Sequence, residues 1–435
     1  MKFTKVQTPR GAKDILPPDG YKKSYLEGEA AAFLEAWGYR RVYTPTFEYY
    51  DALVQGNGPQ IDEKLYRFVD RDGHTLALRP EMTTPIARMA ATRYTPAEMP
   101  VRLYYVGSVF RYDEVQAGRQ REFTQVGVEL LGAAGPAADA ELVALAVSLL
   151  GRLGLRAFHV DLGHIGYIHS LLEALGDDGL AAELKGALLA RDYVRYEALL
   201  KGAAMETELK EALLALPEMR GGAEVVAAAR EAAGRYPKAV AALAELEAIY
   251  RLASAYGVGE HLAIDLAVVK DFDYYTGLLL EGYTPELGLT LCTGGRYDSL
   301  VGRFGSPCPA TGFALGVERA MLALERQGWR LHEPAPDLFL YTETDQEVEA
   351  LFGAAALLRA RGVRVELALD PMSADQAQAA ASRRGIERTG RVYRAEGGRV
   401  ALAVTPEGGP APSGPLEPAQ AGEGAAGRAA GGVIG

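Results

Sequence analysis

The chain has 435 residues, of which 49% are hydrophobic and 24% charged, and a formal net charge of −11. That length allows two or three domains, and the composition is that of an ordinary globular protein. No stretch approaches the ~18 unbroken apolar residues of a membrane span, and the acidity argues against a chain whose main task is gripping a nucleic-acid backbone.

The opening stretch MKFTKVQTPRG lacks the apolar core of a signal peptide, so a cytoplasmic protein is expected. Cys292 and Cys308 stand in neither a metal nor a redox spacing, and reduced thiols are expected. His164 and His169 are five apart, not the i, i+4 pair of a helical zinc site. No metal and no other cofactor is expected.

In chain order, apolar residues at Tyr21, Tyr25, Leu26, Phe33, Leu34 and Trp37 share one face of a helix over 20–38. RRVYTPTFE reads as a short strand stopped by Pro45. Residues 64–79 read as a hairpin turning at Asp72-Gly73. A helix is expected over 83–93. The strands VRLYYVGSVFRY and EFTQVGVELLG follow, joined by the polar loop DEVQAGRQR, and then a helix over 137–153. Residues 165–260, rich in Ala, Leu and Glu, read as a helical insertion. Strands are expected at 261–269, 277–283 and 288–293, and a helix from Val317. Residues 334–405 carry the strand and helix patterns of a small α/β domain, and 406–435, dominated by Gly, Ala and Pro, read as a disordered tail. The whole is α+β, with a mainly antiparallel sheet flanked by helices.

Candidate chemistry lies in four places. In EFTQVGVELLG, alternation puts Gln125, Gly127 and Glu129 on one face and Val126, Val128 and Leu130 on the other. The polar face is either the wet side of an edge strand or the floor of a pocket, with Glu129 meeting a cation and Gly127 leaving room for it. In LRPEMTTP, Glu81 is placed to accept from an amine, and Thr83 is either a site residue or a helix cap. VVKDFDYYTG adds Asp273, Tyr274 and Tyr275. Carboxylates, an amide and tyrosine hydroxyls together suit a small zwitterion with a basic side chain. Arg111, Arg119, Arg121 and Arg319 suggest an anion subsite, since planar guanidinium groups match phosphate oxygens.

These residues resemble a known family. FRYDEVQAGRQREFTQVGVELLG is similar to the second signature motif of histidyl-tRNA synthetase, TGFALGVER to the third, and RVYTPTFE to the first, which lies at a dimer interface. DFDYYTG and GGRYDSLV resemble the two histidine-specific motifs. The resemblance runs over residues 10–325, apart from the insertion, and implies the class II aminoacyl-tRNA synthetase fold.

The family has two branches: the synthetase, which activates histidine with ATP, and a regulatory branch. The latter lost aminoacylation and partners the short catalytic subunit of ATP phosphoribosyltransferase in histidine biosynthesis. By resemblance, Glu81, Thr83 and Gln125 take the amino group of histidine, while Glu129, Tyr274 and Tyr275 surround the imidazole. Arg111 serves the same pocket and, with Arg319, matches the ATP-phosphate arginines; Arg119 and Arg121 join them in a vestigial nucleotide-phosphate subsite.

The departures favour the regulatory branch. Lys270 and Asp271 stand where synthetases usually have Arg-Gly, and a lysine lacks the two-pronged donor of arginine. Asp113 replaces a glutamate that meets adenine, and Met82 replaces a glycine. Residues 331–405 hold nine arginines, eleven acidic residues and no lysine, which makes tRNA an unlikely partner for this degenerate anticodon-binding-like domain. The expectation is a non-catalytic, self-associating subunit that binds histidine and confers feedback control on the short catalytic subunit. The alternative is a divergent synthetase.

Overall fold

The computed structural model describes residues 7–113, 120–270, 272, 274–406 and 413–416. Arg119, Asp271 and Asp273 lie outside the described residues, as does most of the tail. The chain divides into two compact units, Met1–His332 and Glu333–Gly435.

The first unit opens with α1 (Asp19–Ala36), which buries Leu26, Ala30 and Leu34 at intervals of four, one helix face. Tyr25, expected on that face, is exposed at its edge and meets the Trp329 ring at 6.4 Å. Strands β1 (Arg40–Arg41), β2 (Phe47–Tyr49), β3 (Arg67–Val69) and β4 (Thr75–Leu78) follow, with α2 (Tyr50–Asn57) between β2 and β3. Strand β4 lies between β2 and β3 in a small antiparallel sheet whose turn includes Asp72-Gly73. Next come α3 (Thr83–Arg93), β5 (Val101–Phe110), β6 (Glu122–Leu131), α4 (Pro136–Arg152) and β7 (His159–His164).

The insertion holds α5 (Ile165–Glu173), α6 (Asp178–Leu189), α7 (Tyr193–Gly202), α8 (Thr207–Ala215), the short β8 (Arg220–Gly221), α9 (Glu224–Ala232) and α10 (Pro237–Tyr256). Its helices share a core with the sheet: Leu243, Leu246 and Ile249 of α10 are fully buried in the cluster that holds Leu142, Leu145 and Leu149 of α4. The unit closes with β9 (Leu262–Asp265), β10 (Leu278–Tyr283), β11 (Cys292–Arg296), β12 (Ala310–Gly316) and α11 (Val317–Arg326).

The main sheet runs β1-β5-β6-β12-β11-β10-β7-β9-β8. Only β1·β5 and β7·β9 are parallel; the other neighbours are antiparallel. Alternation along β6 separates two cores. Val126 and Val128 join Leu26 and Leu34 of α1 and the α4 leucines on one face, while the other face is lined by Tyr105, Ile86, Tyr274 and Tyr297. Strand β6 is central, between β5 and β12, so its polar face is not the wet side of an edge.

Two strand expectations are corrected. The run 261–269 is strand only to Asp265; Leu266–Val269 are buried but leave the ladder. The strand expected at 288–293 is Cys292–Arg296 instead, because Gly294 and Gly295, which look like strand breakers, are ladder residues facing Phe313 and Gly312.

The second unit carries β13 (Leu338–Tyr341), α12 (Val348–Ala360), β14 (Val365–Leu367), α13 (Ala374–Arg383), β15 (Thr389–Arg394), β16 (Val400–Thr405) and β17 (Gly414–Pro415). Its sheet order is β14-β13-β15-β16-β17. Strand β17 pairs with Ala401 and Leu402, so part of the segment expected to be disordered adds to this sheet. Among the described residues no helix is long and apolar enough to cross a membrane.

Candidate amino-acid site

The site stands on three neighbouring strands, β6, β12 and β11. Glu129 lies directly opposite Gly312, and Gly294 opposite Phe313. Glycine is required here by close approach. A Cβ on Gly312 would overlap the Glu129 carboxylate, and one on Gly294 would overlap the Gly312 carbonyl. Sequence reading offered Gly127 as leaving room for a cationic group; instead the space beside it is taken by the Tyr105 ring and hydroxyl.

Glu129 is 1% exposed. Its Oε1 accepts from the Thr83 hydroxyl at 2.8 Å, and its Oε2 from the Tyr297 hydroxyl. Burial pushes its carboxyl up to about 8, with the Glu81 charge acting the same way and the two hydroxyl donors opposing them. Thr83 therefore serves Glu129 and does not cap α3. The cap is Glu81: its carboxylate accepts from the backbone N–H of Thr83 and, at 3.1 Å, of Thr84, which places its charge at the positive end of the helix dipole. Asn57 Nδ2 adds a bond at 3.3 Å.

Gln125 is 8% exposed, and its Oε1 finds no partner among the described residues. A buried acceptor left open in this way is costly unless a ligand or water fills it. Tyr274 is buried; it stacks on Phe272 at 5.3 Å and meets Tyr275 at 4.8 Å and Tyr297 edge-on at 5.8 Å. Burial drives the Tyr274, Tyr275 and Tyr297 hydroxyls well above their usual range, so all three are neutral donors. Together Glu81, Thr83, Gln125, Tyr274, Tyr275 and Tyr297 line a small cavity of about 30 Å³. That is room for one or two waters.

This small cavity and a wider one of about 620 Å³ share Arg111, Gln125 and Phe272 in their linings. Arg319 and Asp113 also line the larger space. Arg111 Nε donates to the Pro80 carbonyl at 2.8 Å, and its guanidinium lies 5.3 Å from the Phe123 ring centroid and 5.8 Å from that of Phe272. Arg319 Nη1 donates to the Thr290 carbonyl at 2.9 Å. Arg121 serves its own loop instead: Nε donates to the Asp113 carbonyl, and the guanidinium sits 3.8 Å from the Tyr112 ring centroid.

Lys270 points its ammonium at Glu281 of β10, which also accepts from the Tyr283 hydroxyl. Burial would raise the Glu281 carboxyl, but the Lys270 charge and these bonds hold it below the usual carboxylate range. The lysine is thus neutralised by a buried partner.

Sequence reading missed Tyr297 and Tyr105 as site residues. Tyr297 sits inside GGRYDSLV, whose resemblance had marked the segment without picking the residue. Arg296 beside it is structural: it makes a bidentate pair with buried Asp139, Nε–Oδ2 2.8 Å and Nη2–Oδ1 2.9 Å.

Comparison with known proteins adds the context. Residues 11–320 match the family model for histidyl-tRNA synthetase. The chain is similar to the ATP phosphoribosyltransferase regulatory subunit of Moorella thermoacetica, at 43% identity over 88% of this chain and 97% of that one. It is similar to the protein of the same name from Desulforamulus reducens, at 41% identity over 87% and 94%. Among solved structures it resembles an ATP phosphoribosyltransferase regulatory subunit/histidyl-tRNA synthetase from Bacillus halodurans. That match has a TM-score of 0.77 and 33% identity, covering 87% of this chain and 97% of that one.

Proposed function

This chain belongs to the histidyl-tRNA synthetase family and, within it, to the regulatory subunits of ATP phosphoribosyltransferase; from that premise we propose that it binds free histidine in the Glu129 pocket. Occupancy then sets the activity of the short catalytic subunit, giving feedback control of histidine biosynthesis in the cytoplasm.

The observation that carries this reading is the pair of buried acceptors on one face of β6, Glu129 and Gln125. Glu129 lies behind Thr83, Tyr297 and Gly312 of the cavity lining and is held by the first two through their hydroxyls, and the Gln125 Oε1 finds no partner among the described residues. An imidazole N–H suits the first and an ammonium the second. The small cavity alone is too tight for histidine, which would also occupy part of the wider space that shares Arg111, Gln125 and Phe272 with it. A ligand that binds one arrangement better than another shifts the equilibrium between them, which is what a sensor requires.

Loss of activation fits the same geometry. Lys270 lacks the arginine fork and is drawn to Glu281. Self-association fits the exposed aromatic residues around the small sheet, Tyr43, Phe47, Tyr49 and Phe68, with Val69 beside them. One observation favours the alternative, a divergent synthetase: Arg111 and Arg319 still line one cavity large enough for a nucleotide.

The deciding experiment measures histidine binding and histidine-dependent ATP–pyrophosphate exchange in one sample. Binding without exchange is expected, and exchange would establish the synthetase reading instead. In the reconstituted complex Glu129→Ala should relieve inhibition by histidine; unchanged inhibition would move the sensor site elsewhere.

A further inference from the structure

Arg191 is the one non-glycine residue with positive φ among the described residues, at 54°. It forms the turn between α6 and α7. The backbone N–H of Arg191 donates to the Leu188 carbonyl at 3.0 Å and that of Asp192 to the Ala187 carbonyl at 2.9 Å, which ends α6. The Asp192 carboxylate accepts from Arg195 N at 3.0 Å and starts α7. A left-handed residue at a helix end is ordinarily glycine or asparagine, because a longer side chain carries a steric penalty there. The outlier calls for a reason in the side chain.

That side chain leaves the insertion and reaches the main sheet. Arg191 Nη2 donates to Glu281 Oε2 at 3.2 Å and to the Tyr283 hydroxyl, and the guanidinium lies 5.2 Å from the Tyr283 ring centroid. Glu281 is the same carboxylate that holds Lys270. Lys270 opens the loop that bears Phe272, Tyr274 and Tyr275. Between insertion and loop lies a cavity of about 240 Å³, with Leu188 and Tyr193 on one wall and Val268 and Phe272 on the other. The two elements face each other across a gap that charged groups span.

We infer that Arg191 is a positioning residue which tethers the helical insertion, through Glu281, to Lys270 at the start of the segment bearing Tyr274 and Tyr275, so that the insertion and that segment shift together. The inference rests on the histidine reading above and gives the insertion a role in it. An isolated surface ion pair would contribute little. Here the Arg191 side chain is 54% exposed, but its partner Glu281 is only 11% exposed and shared with Lys270, and a plain surface pair gives no reason to keep a strained backbone.

The test is Arg191→Gly, which suits the positive φ while deleting the guanidinium. The tether predicts an unchanged melting temperature. In the histidine-free protein, amide exchange in peptides covering 266–277 should quicken by about tenfold, and the histidine Kd should rise by about three- to tenfold. Unchanged exchange over 266–277 overturns the inference, as does a fall in melting temperature with faster exchange confined to α6 and α7. If the wild-type protein binds no histidine while the glycine variant loosens 266–277, the tether stands and the histidine reading falls.

Discussion

The Thr83 hydroxyl donates to Glu129 Oε1 at 2.8 Å, which ties the first residue of α3 to the C-terminal half of β6. With Tyr297 on the other oxygen, both faces of the carboxyl are held by neutral donors. Burial favours the protonated form of this carboxyl even though the two donors favour the ionised one.

The sign of the resulting pH dependence follows. Glu129 titrates near 8 in the folded protein, against 4.5 as its ordinary value. Between those values the unfolded chain releases a proton that the folded protein keeps, so stability falls as pH rises through this window. Glu129→Gln should flatten that slope. Its urea midpoint should match wild type near pH 5 and exceed it at pH 8, and parallel curves for the two proteins would contradict the assignment.

Tyr297→Phe removes one donor from a carboxyl that has no cation. The variant should lose about 1–3 kcal/mol of stability by urea unfolding. Histidine affinity should fall as well, because the imidazole would meet a less well-fixed acceptor; calorimetry of histidine binding checks this.

Lys270→Met leaves Glu281 with Arg191 and Tyr283 only. Breaking a buried pair outright costs about 3–5 kcal/mol, and the remaining partners should hold the loss to about 2 kcal/mol, read from urea midpoints. Lys270→Arg should not create pyrophosphate exchange, since Glu281 would draw the guanidinium as it draws the ammonium.

Arg296→Leu should be the most damaging of these substitutions. Asp139 is 0% exposed and depends on Arg296 for its bidentate pair, so about 3–5 kcal/mol is expected to be lost. The loss should appear as a lower melting temperature with or without histidine, which separates this structural arginine from the ligand-binding groups beside it.

Much of the fold was legible because its signals are local. Period-two alternation in EFTQVGVELLG placed Gln125 and Glu129 together, and the buried spacing of α1 is readable from its leucines. The partners of those residues were not legible. That Tyr105 fills the space beside Gly127, or that Glu81 caps α3 while Thr83 serves Glu129, depends on which strands and helix ends meet, and pairing across the sheet leaves no local mark. Strand β11 was misplaced for a related reason. Gly294 and Gly295 weaken a strand by propensity, yet a side chain at 294 would collide with the neighbouring strand. For the arginines, charge alone could not tell Arg319, which lines the large cavity, from Arg121, which lies against Tyr112.

Gly294 and Gly312 of the cavity lining, and Gly127 on the neighbouring strand, leave no space for a side chain, and this shapes how the protein can be altered by descent. Every glycine codon is one base away from alanine. At Gly127, Gly294 and Gly312 that single change adds a methyl group against a backbone carbonyl of the next strand, and at Gly312 against Glu129 as well. On the proposed histidine reading, control is exposed to damage by gain of a small group as much as by loss of a large one. Strains selected for growth on a toxic histidine analogue should carry resistant alleles at these three codons, a signature that a site built from larger side chains would not leave.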